Sequence, residues 1–257
     1  MNAPRRSLLL AVTLAAPLAG RAQVPAVPDW ALPGSATHHQ VPPPAGFHRP
    51  TRTEPFGGSV RVGPFEGRSE VGGPLVPSEA RYDLLTHQYT LTAAGYNIWY
   101  SRDEFLYLWT KVSGDLSLAA DVTFPNPDGY GDRKAVLIIR QSLDDDSKEA
   151  MVALHGAGLI HLAERPATGA DIREAYRQKS DPAGAVPKRI GIEKRGDAFF
   201  LYVSLAGEPM HQVGGPMDLH LDGPFYAGIG FCSHQPAKAD TAVLGNVVFA
   251  NAAGQVR

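Results

Sequence analysis

The 257-residue chain carries 24 Lys plus Arg against 26 Asp plus Glu, 44% hydrophobic residues and one cysteine. A lone Cys232 excludes a disulfide framework, and a formal net charge of -2 excludes a protein that coats nucleic acid, which needs a clear basic excess. The 27 Gly and 22 Pro point to many short strands joined by turns, around a core large enough to need no covalent staple.

At the N-terminus, Arg5 and Arg6 precede an uncharged run, 7–20. That run is shorter than the roughly 20 residues of a membrane span and has the length of an export-signal core. Residues 1–22 read as a cleaved signal peptide ending in Gly20-Arg21-Ala22, and the pair Arg5-Arg6 leaves both the general and the twin-arginine export routes open. Arg21 stands where a lipoprotein needs Cys, so no membrane anchor is expected and the protein is assigned to the periplasm or the cell exterior. Cleavage removes three arginines and no acid, which makes the mature chain more negative still.

Residues 23–55 carry Pro25, Pro28, Pro33, Pro42, Pro43, Pro44, Pro50 and Pro55 with no apolar periodicity, the composition of an extended tether. His38, His39 and His48 lie in this stretch and read as solvated linker residues.

The body, 56–257, alternates short runs rich in Val, Ile, Leu, Phe and Tyr with turn clusters, and predicts strands over 88–92, 97–100, 105–111, 116–124, 134–141, 150–155, 159–164, 189–194, 198–205, 225–232 and 242–250. The charged stretch 170–178 reads as a loop excursion with one helical turn. Alternation gives each strand an inside and an outside. Leu116, Leu118, Ala120, Val122 and Phe124 share one face, as do Phe199, Leu201, Val203 and Leu205, and half-buried strands of this kind build a two-layer sandwich.

His155-Gly156-Ala157-Gly158-Leu159 reads as a tight hairpin connection, so residues equidistant from Ala157 lie opposite one another. Val152, Leu154, Ile160 and Leu162 then form a core set, while His155, His161 and Arg165 gather on the other face. Phe105, Tyr107 and Trp109 share a strand face with Trp99 just before, and flat rings are platforms for the apolar face of a sugar. If Leu106 and Leu108 point inward, Tyr107 and Trp109 are left facing out.

Tyr82-Asp83, Tyr89-Thr90-Leu91-Thr92, Asn97-Ile98-Trp99, Phe105-Leu106-Tyr107-Leu108-Trp109, Val112-Ser113-Gly114-Asp115, the run 133–144, Ala153-Leu154-His155-Gly156, Ile192-Glu193-Lys194-Arg195-Gly196-Asp197 and the run 225–234 follow one another along the chain. This ordered series, over roughly residues 65–251, resembles an uncharacterised family of secreted concanavalin A-like domains, often found beside propeller repeats or glycan-active domains. The resemblance implies an all-β, antiparallel jelly roll of lectin/glucanase type in a single domain, with a sheet face able to hold a saccharide. It implies no settled activity, because the same fold hosts lectins, binding modules, hydrolases and lyases.

Catalytic templates are missing from the sequence. No E-x-D-x-x-E strand brings two carboxylates to one bond, and there is no G-x-S-x-G, H-E-x-x-H or phosphate-cradling glycine loop. Residues 126–132 alternate oxygen ligands as a calcium loop does, but lack the bidentate Glu and read as a turn. No metal or other cofactor is expected. The residues assigned to ligand binding are Trp99, Tyr107 and Trp109 for stacking, with Arg140, His155, His161, Arg165 and Glu193 as polar contacts. The expected function is non-catalytic recognition of carbohydrate on one sheet face. The rivals are a glycan hydrolase or lyase using a Glu/His acid-base pair on that face, and a structural or protein-interaction domain of the cell envelope. Composition leaves the oligomeric state open.

Overall fold

A computed structural model describes residues 48–56, 62–182, 184 and 187–256. The expected export signal and most of the expected tether lie outside the described residues. The described chain forms seventeen strands.

One sheet has eight strands in the order β1 (Arg52–Pro55), β2 (Gly67–Val71), β7 (Phe105–Val112), β16 (Phe225–Cys232), β9 (Lys134–Arg140), β10 (Glu149–His155), β11 (Leu159–Arg165) and β12 (Arg173–Lys179). The second has seven, in the order β15 (His211–Asp218), β14 (Ala198–Ser204), β13 (Lys188–Arg195), β8 (Leu116–Thr123), β17 (Gln235–Ala250), β4 (Gln88–Gly95) and β3 (Glu79–Asp83). A short hairpin, β5 (Ile98–Trp99) with β6 (Arg102–Asp103), stands apart from both. Every pairing is antiparallel. The fold is an all-β antiparallel sandwich of jelly-roll type.

The apolar alternation explains the layers. Leu116, Leu118, Ala120, Val122, Phe199, Leu201 and Val203 from the second sheet meet Leu106, Leu108, Leu137, Ile139, Val152, Leu154, Ile160 and Leu162 from the first in one dry interlayer. Burial of this kind contributes about 25 cal/mol per Å² of apolar surface. The β10–β11 register pairs Val152 with Leu162 and Leu154 with Ile160, centred on Ala157 as the sequence predicts.

A second apolar cluster covers the outer face of the eight-stranded sheet. Val71, Phe105, Tyr107, Trp109, Val136, Ile138, Met151, Ala153 and Cys232 point outward and are capped by Ile98 and Ile172 from segments crossing above. The expectation that Tyr107 and Trp109 face a ligand is corrected here: the leucines do point inward, but the outer face is roofed by the chain itself. Tyr107 donates to Ile138 O at 3.1 Å, and Trp109 Nε1 donates to Ser69 Oγ at 2.9 Å. The indole lies so close over Gly67 that a Cβ there would fall 2.5 Å from its Cζ2.

Strands β2, β3 and β15 lie outside the strands expected from sequence, and two further segments differ from their sequence reading. Arg173–Lys179, expected as a loop, is the edge strand β12; it offers the core only Tyr176 in a largely charged and polar run, so it carries no alternation for a reader to find. Arg52–Pro55, assigned to the tether, pairs with β2 as the other edge, where a proline removes no needed ladder bond. The segment before it is anchored by His48 Nδ1 to Asp145 at 2.8 Å and by Arg49 to Glu104 at 2.6 Å.

Candidate functional site

The β5–β6 hairpin turns through Tyr100 and Ser101, with Tyr100 at φ 54°, the positive value that a two-residue hairpin turn demands of its first central residue. Asp103 nails this hairpin to the sheet below. Its carboxylate accepts from Arg165 Nη2 and Nη1 at 2.6 and 2.7 Å and from Arg140 Nη1 at 2.6 Å. Glu149 completes the quartet against both guanidinium groups, and all four side chains are fully buried. Burial pushes the Asp103 carboxyl up, but the charges of Arg165 and Arg140 outweigh it and hold the group below its ordinary range. Arg140 and Arg165 share the predicted sheet face with the histidines, yet their donors are spent on Asp103, Glu149 and backbone carbonyls rather than offered to a ligand.

The hairpin also walls a cleft of about 310 Å³ at the other end of the same strands, lined by Asn97, Trp99, Tyr100, Asp132, Lys134, His155, Leu159, His161, Glu174, Arg177 and His234. Ligand pockets start near about 300 Å³, so one sugar-sized ring fits. Antiparallel pairing sets Lys134 beside His155 on one side and Cys232 on the other, and Ala153 beside His161, so β9, β10 and β11 each send a polar group to the cleft floor. Two of its residues, Tyr100 and His234 (φ 63°), are non-glycine residues in left-handed backbone, a conformation that costs energy and clusters at functional sites.

The floor is chemically unfinished. His155 and His161 are 5% and 1% exposed, and none of their four ring nitrogens has a hydrogen-bond partner among the described residues. The rings meet edge to face at 5.1 Å. His161 Nδ1 lies 3.3 Å from Glu174 Oε1 without the alignment of a hydrogen bond, and His155 Nδ1 lies 3.8 Å from Asp132. Burial, and then the charge of Lys134, lowers the His155 pKa to about 3; burial also lowers that of His161. Both rings are therefore neutral near pH 7, each with one donor and one acceptor. Half-buried Trp99 lies over His161 at 5.2 Å and 34°. Lys134 Nζ sits 5.6 Å from the Trp99 ring and donates to Asn97 Oδ1 at 2.7 Å.

Of the residues assigned from sequence, the cleft brings together Trp99, His155 and His161. Tyr107, Trp109, Arg140 and Arg165 lie on the same sheet face but beneath the roof. Glu193 is on the wrong sheet: it faces out from β13, bonded to Arg195, to Ser117 and to Gly254 N at 2.9 Å, where it fastens the C-terminal segment. Alternation had placed it correctly as outward, but carries no information on which sheet a strand joins. Lys134, Asn97, Asp132, Glu174 and Arg177 were missed. Lys134 alone left a signal, as the charge that opens the apolar run Ala135-Val136-Leu137-Ile138-Ile139 on the face of Arg140.

Other polar clusters are already matched within themselves. A cavity of about 360 Å³ beside β1 and β2 pairs Arg52 with Glu70 and Arg68 with Glu54. In the 126–132 loop, Arg133 occupies the centre, donating to Asp240 at 2.9 Å and to Asn126 O at 2.7 Å. Among the described residues, no group of three or more His, Cys, Asp and Glu side chains is arranged to hold a metal ion.

If Tyr107 is structural, Tyr107→Phe removes one buried hydrogen bond and should cost about 1 kcal/mol in chemical denaturation, leaving the affinity of the cleft for any ligand unchanged.

Among solved structures the chain is similar to carbohydrate-binding module CBM66 from Bacillus subtilis, at 18% identity over 67% of this chain and 91% of that one, with a TM-score of 0.47. It is also similar to a functionally unknown protein from Saccharomyces cerevisiae, at 13% identity over the same shares, with a TM-score of 0.48. A third likeness, to a xylan beta-1,4-xylosidase from Bacillus halodurans C-125, has 14% identity over 62% of this chain and 31% of that one, with a TM-score of 0.46. These likenesses concern the sandwich alone; the all-β antiparallel architecture rests on the strand pairing of the chain itself. No family model and no curated protein matches it.

Proposed function

We propose that the protein is an exported module that binds carbohydrate, without catalysis, in the cleft beneath the β5–β6 hairpin. The observation that carries this reading is the pair of neutral, buried imidazoles whose nitrogens have no hydrogen-bond partner among the described residues and line an open cleft next to a half-buried indole. An unmatched buried polar group costs about 1–3 kcal/mol, so a fold that keeps two such rings is compensated when a ligand completes their bonds. Sugar hydroxyls, each both donor and acceptor, match neutral imidazole atom for atom, and the C–H face of a pyranose suits Trp99.

Titration calorimetry with a panel of oligosaccharides tests this. Trp99→Ala and His161→Ala should each weaken binding about tenfold or more, equivalent to about 1.4 kcal/mol. Release of new reducing ends or unsaturated products would overturn the non-catalytic part, and Glu174, beside His161, would then be the acid to replace.

A further inference from the structure

We infer that the saccharide held in the cleft is acidic, and that its carboxylate is received by the ammonium group of Lys134. This rests on the carbohydrate reading and names the class of sugar. Lys134 is 2% exposed, yet its Nζ has one hydrogen-bond partner, Asn97 Oδ1, and no carboxylate pairs with it among the described residues. The arginines buried nearby behave differently: Arg140 and Arg165 meet Asp103 and Glu149, and Arg133 meets Asp240. The two acids that line the cleft are directed elsewhere, Asp132 toward His155, and Glu174 toward His161 and Arg177 at 3.7 Å.

An ammonium group has three donors. One is used, leaving two at the floor of a cleft whose other floor groups are neutral imidazoles. A buried cation without a counter-charge is costly, and removing that cost is what an arriving anion does best. Geometry orders the ligand: carboxylate on Lys134, ring against Trp99, hydroxyls on His155 and His161. Burial lowers the Lys134 pKa from its usual 10.5 to about 8, despite the nearby charges of Asp132, Asp103 and Glu174 and the thiol of Cys232, itself pushed up to about 12. The groups facing Lys134 are these, Asn97, Trp99 and the two imidazoles, with His234 at the rim of the cleft. Affinity for an acidic sugar should therefore fall by up to tenfold per pH unit above about 8, while that for its uncharged ester stays level.

The experiment is calorimetry at pH 7 and pH 9 with tetramers of galacturonate, mannuronate, guluronate and glucuronate, their methyl esters, neutral tetramers of glucose and xylose, and acetate, on the wild type and on Lys134→Met. The expected result is at least one acid bound tenfold or more tighter than its ester at pH 7. That preference should be lost at pH 9 and in Lys134→Met, whose unliganded melting temperature equals or exceeds that of the wild type. Equal binding of acid and ester, or a preference that survives in Lys134→Met, overturns the carboxylate and leaves the carbohydrate reading standing. Acetate binding as tightly as the best tetramer means an anion site only and overturns the sugar. No binding by any saccharide overturns both readings. If Lys134→Met does not fold, the acid-against-ester comparison and its pH dependence in the wild type decide.

Discussion

Asp103→Ala should lower the unfolding free energy by about 3–5 kcal/mol, the cost of removing one partner from a buried ionic cluster. With Asp103 present, two guanidinium groups face Asp103 and Glu149 in a site with no exposed side chain; burial, and the nearby Asp103, raise the Glu149 pKa to about 8, so near pH 7 Asp103 carries the counter-charge. Without it, Arg140 and Arg165 share Glu149 and an uncompensated positive charge is left in the interior. Asp103→Asn keeps the shape but not the charge and should recover only a small part. Arg165→Met added to Asp103→Ala restores charge balance, since Arg140 and Glu149 then pair alone; the double variant should be more stable than Asp103→Ala by more than 1 kcal/mol, a coupling of the size seen for residues in one network, of about 0.5–3 kcal/mol. Urea denaturation of these four proteins and of Arg165→Met alone closes the cycle and measures this. Additivity, or an Asp103→Ala loss below 1 kcal/mol, would show that the quartet does not carry the roof.

The same substitution reaches the cleft. Asp103 ends the hairpin that supplies Asn97, Trp99 and Tyr100, and Arg165 also donates to Tyr100 O, at 3.3–3.4 Å. Apolar burial holds the two sheets together, whereas the hairpin that forms the binding wall is pinned by charge. Asp103→Ala protein that still folds should therefore bind saccharide more weakly although Asp103 touches no ligand.

This division explains what could be read from the chain beforehand. Val152, Leu154, Ile160 and Leu162 announce their face because period-two alternation is a local property, and the Gly156-Ala157-Gly158 connection fixes their register with it. The placement of His155 and His161 together on the opposite face follows from the same register. What crosses above that face is not local. Nothing between residues 105 and 109 says that Ile98 and Ile172 will join Tyr107 and Trp109 in one apolar cluster or that Tyr226 will pack edge-on against Trp109, and nothing in Arg140 or Arg165 names Asp103 as their partner. Glu174 and Arg177 reach the cleft from an edge strand with no hydrophobic alternation, so the pattern that reveals other strands is silent there. Polar residues on a sandwich face divide into those sealed by a roof and those at its opening, and only the three-dimensional path of the roof separates them.

Acidification should destabilise the unliganded protein well before its surface carboxylates are protonated. In the unfolded chain His155 takes up a proton near 6.5, whereas in the folded protein burial and Lys134 lower its pKa to about 3. Above 6.5 neither state holds the proton and the neutral ring costs nothing further. Between 6.5 and about 3 the unfolded state binds a proton that the folded state refuses, so stability falls as pH falls. Over that whole window the loss from His155 is about 3–5 kcal/mol. His161, lowered in the same direction by burial, adds to it. In His155→Leu the slope of unfolding free energy against pH should lose up to one proton between pH 6.5 and 4, and the variant should be the more stable protein at pH 4.5. The imidazole C–H resonances of His155 in the wild type should also remain in their neutral positions down to pH 5. A His155 resonance titrating near 6.5 would mean that its ring is hydrated and needs no ligand to complete it. A saccharide hydrogen-bonded to the neutral rings binds the folded state alone and in their uncharged form, so it should raise the midpoint of urea unfolding at pH 7 and at pH 5 alike; stabilisation that vanishes at pH 5 would place the sugar elsewhere.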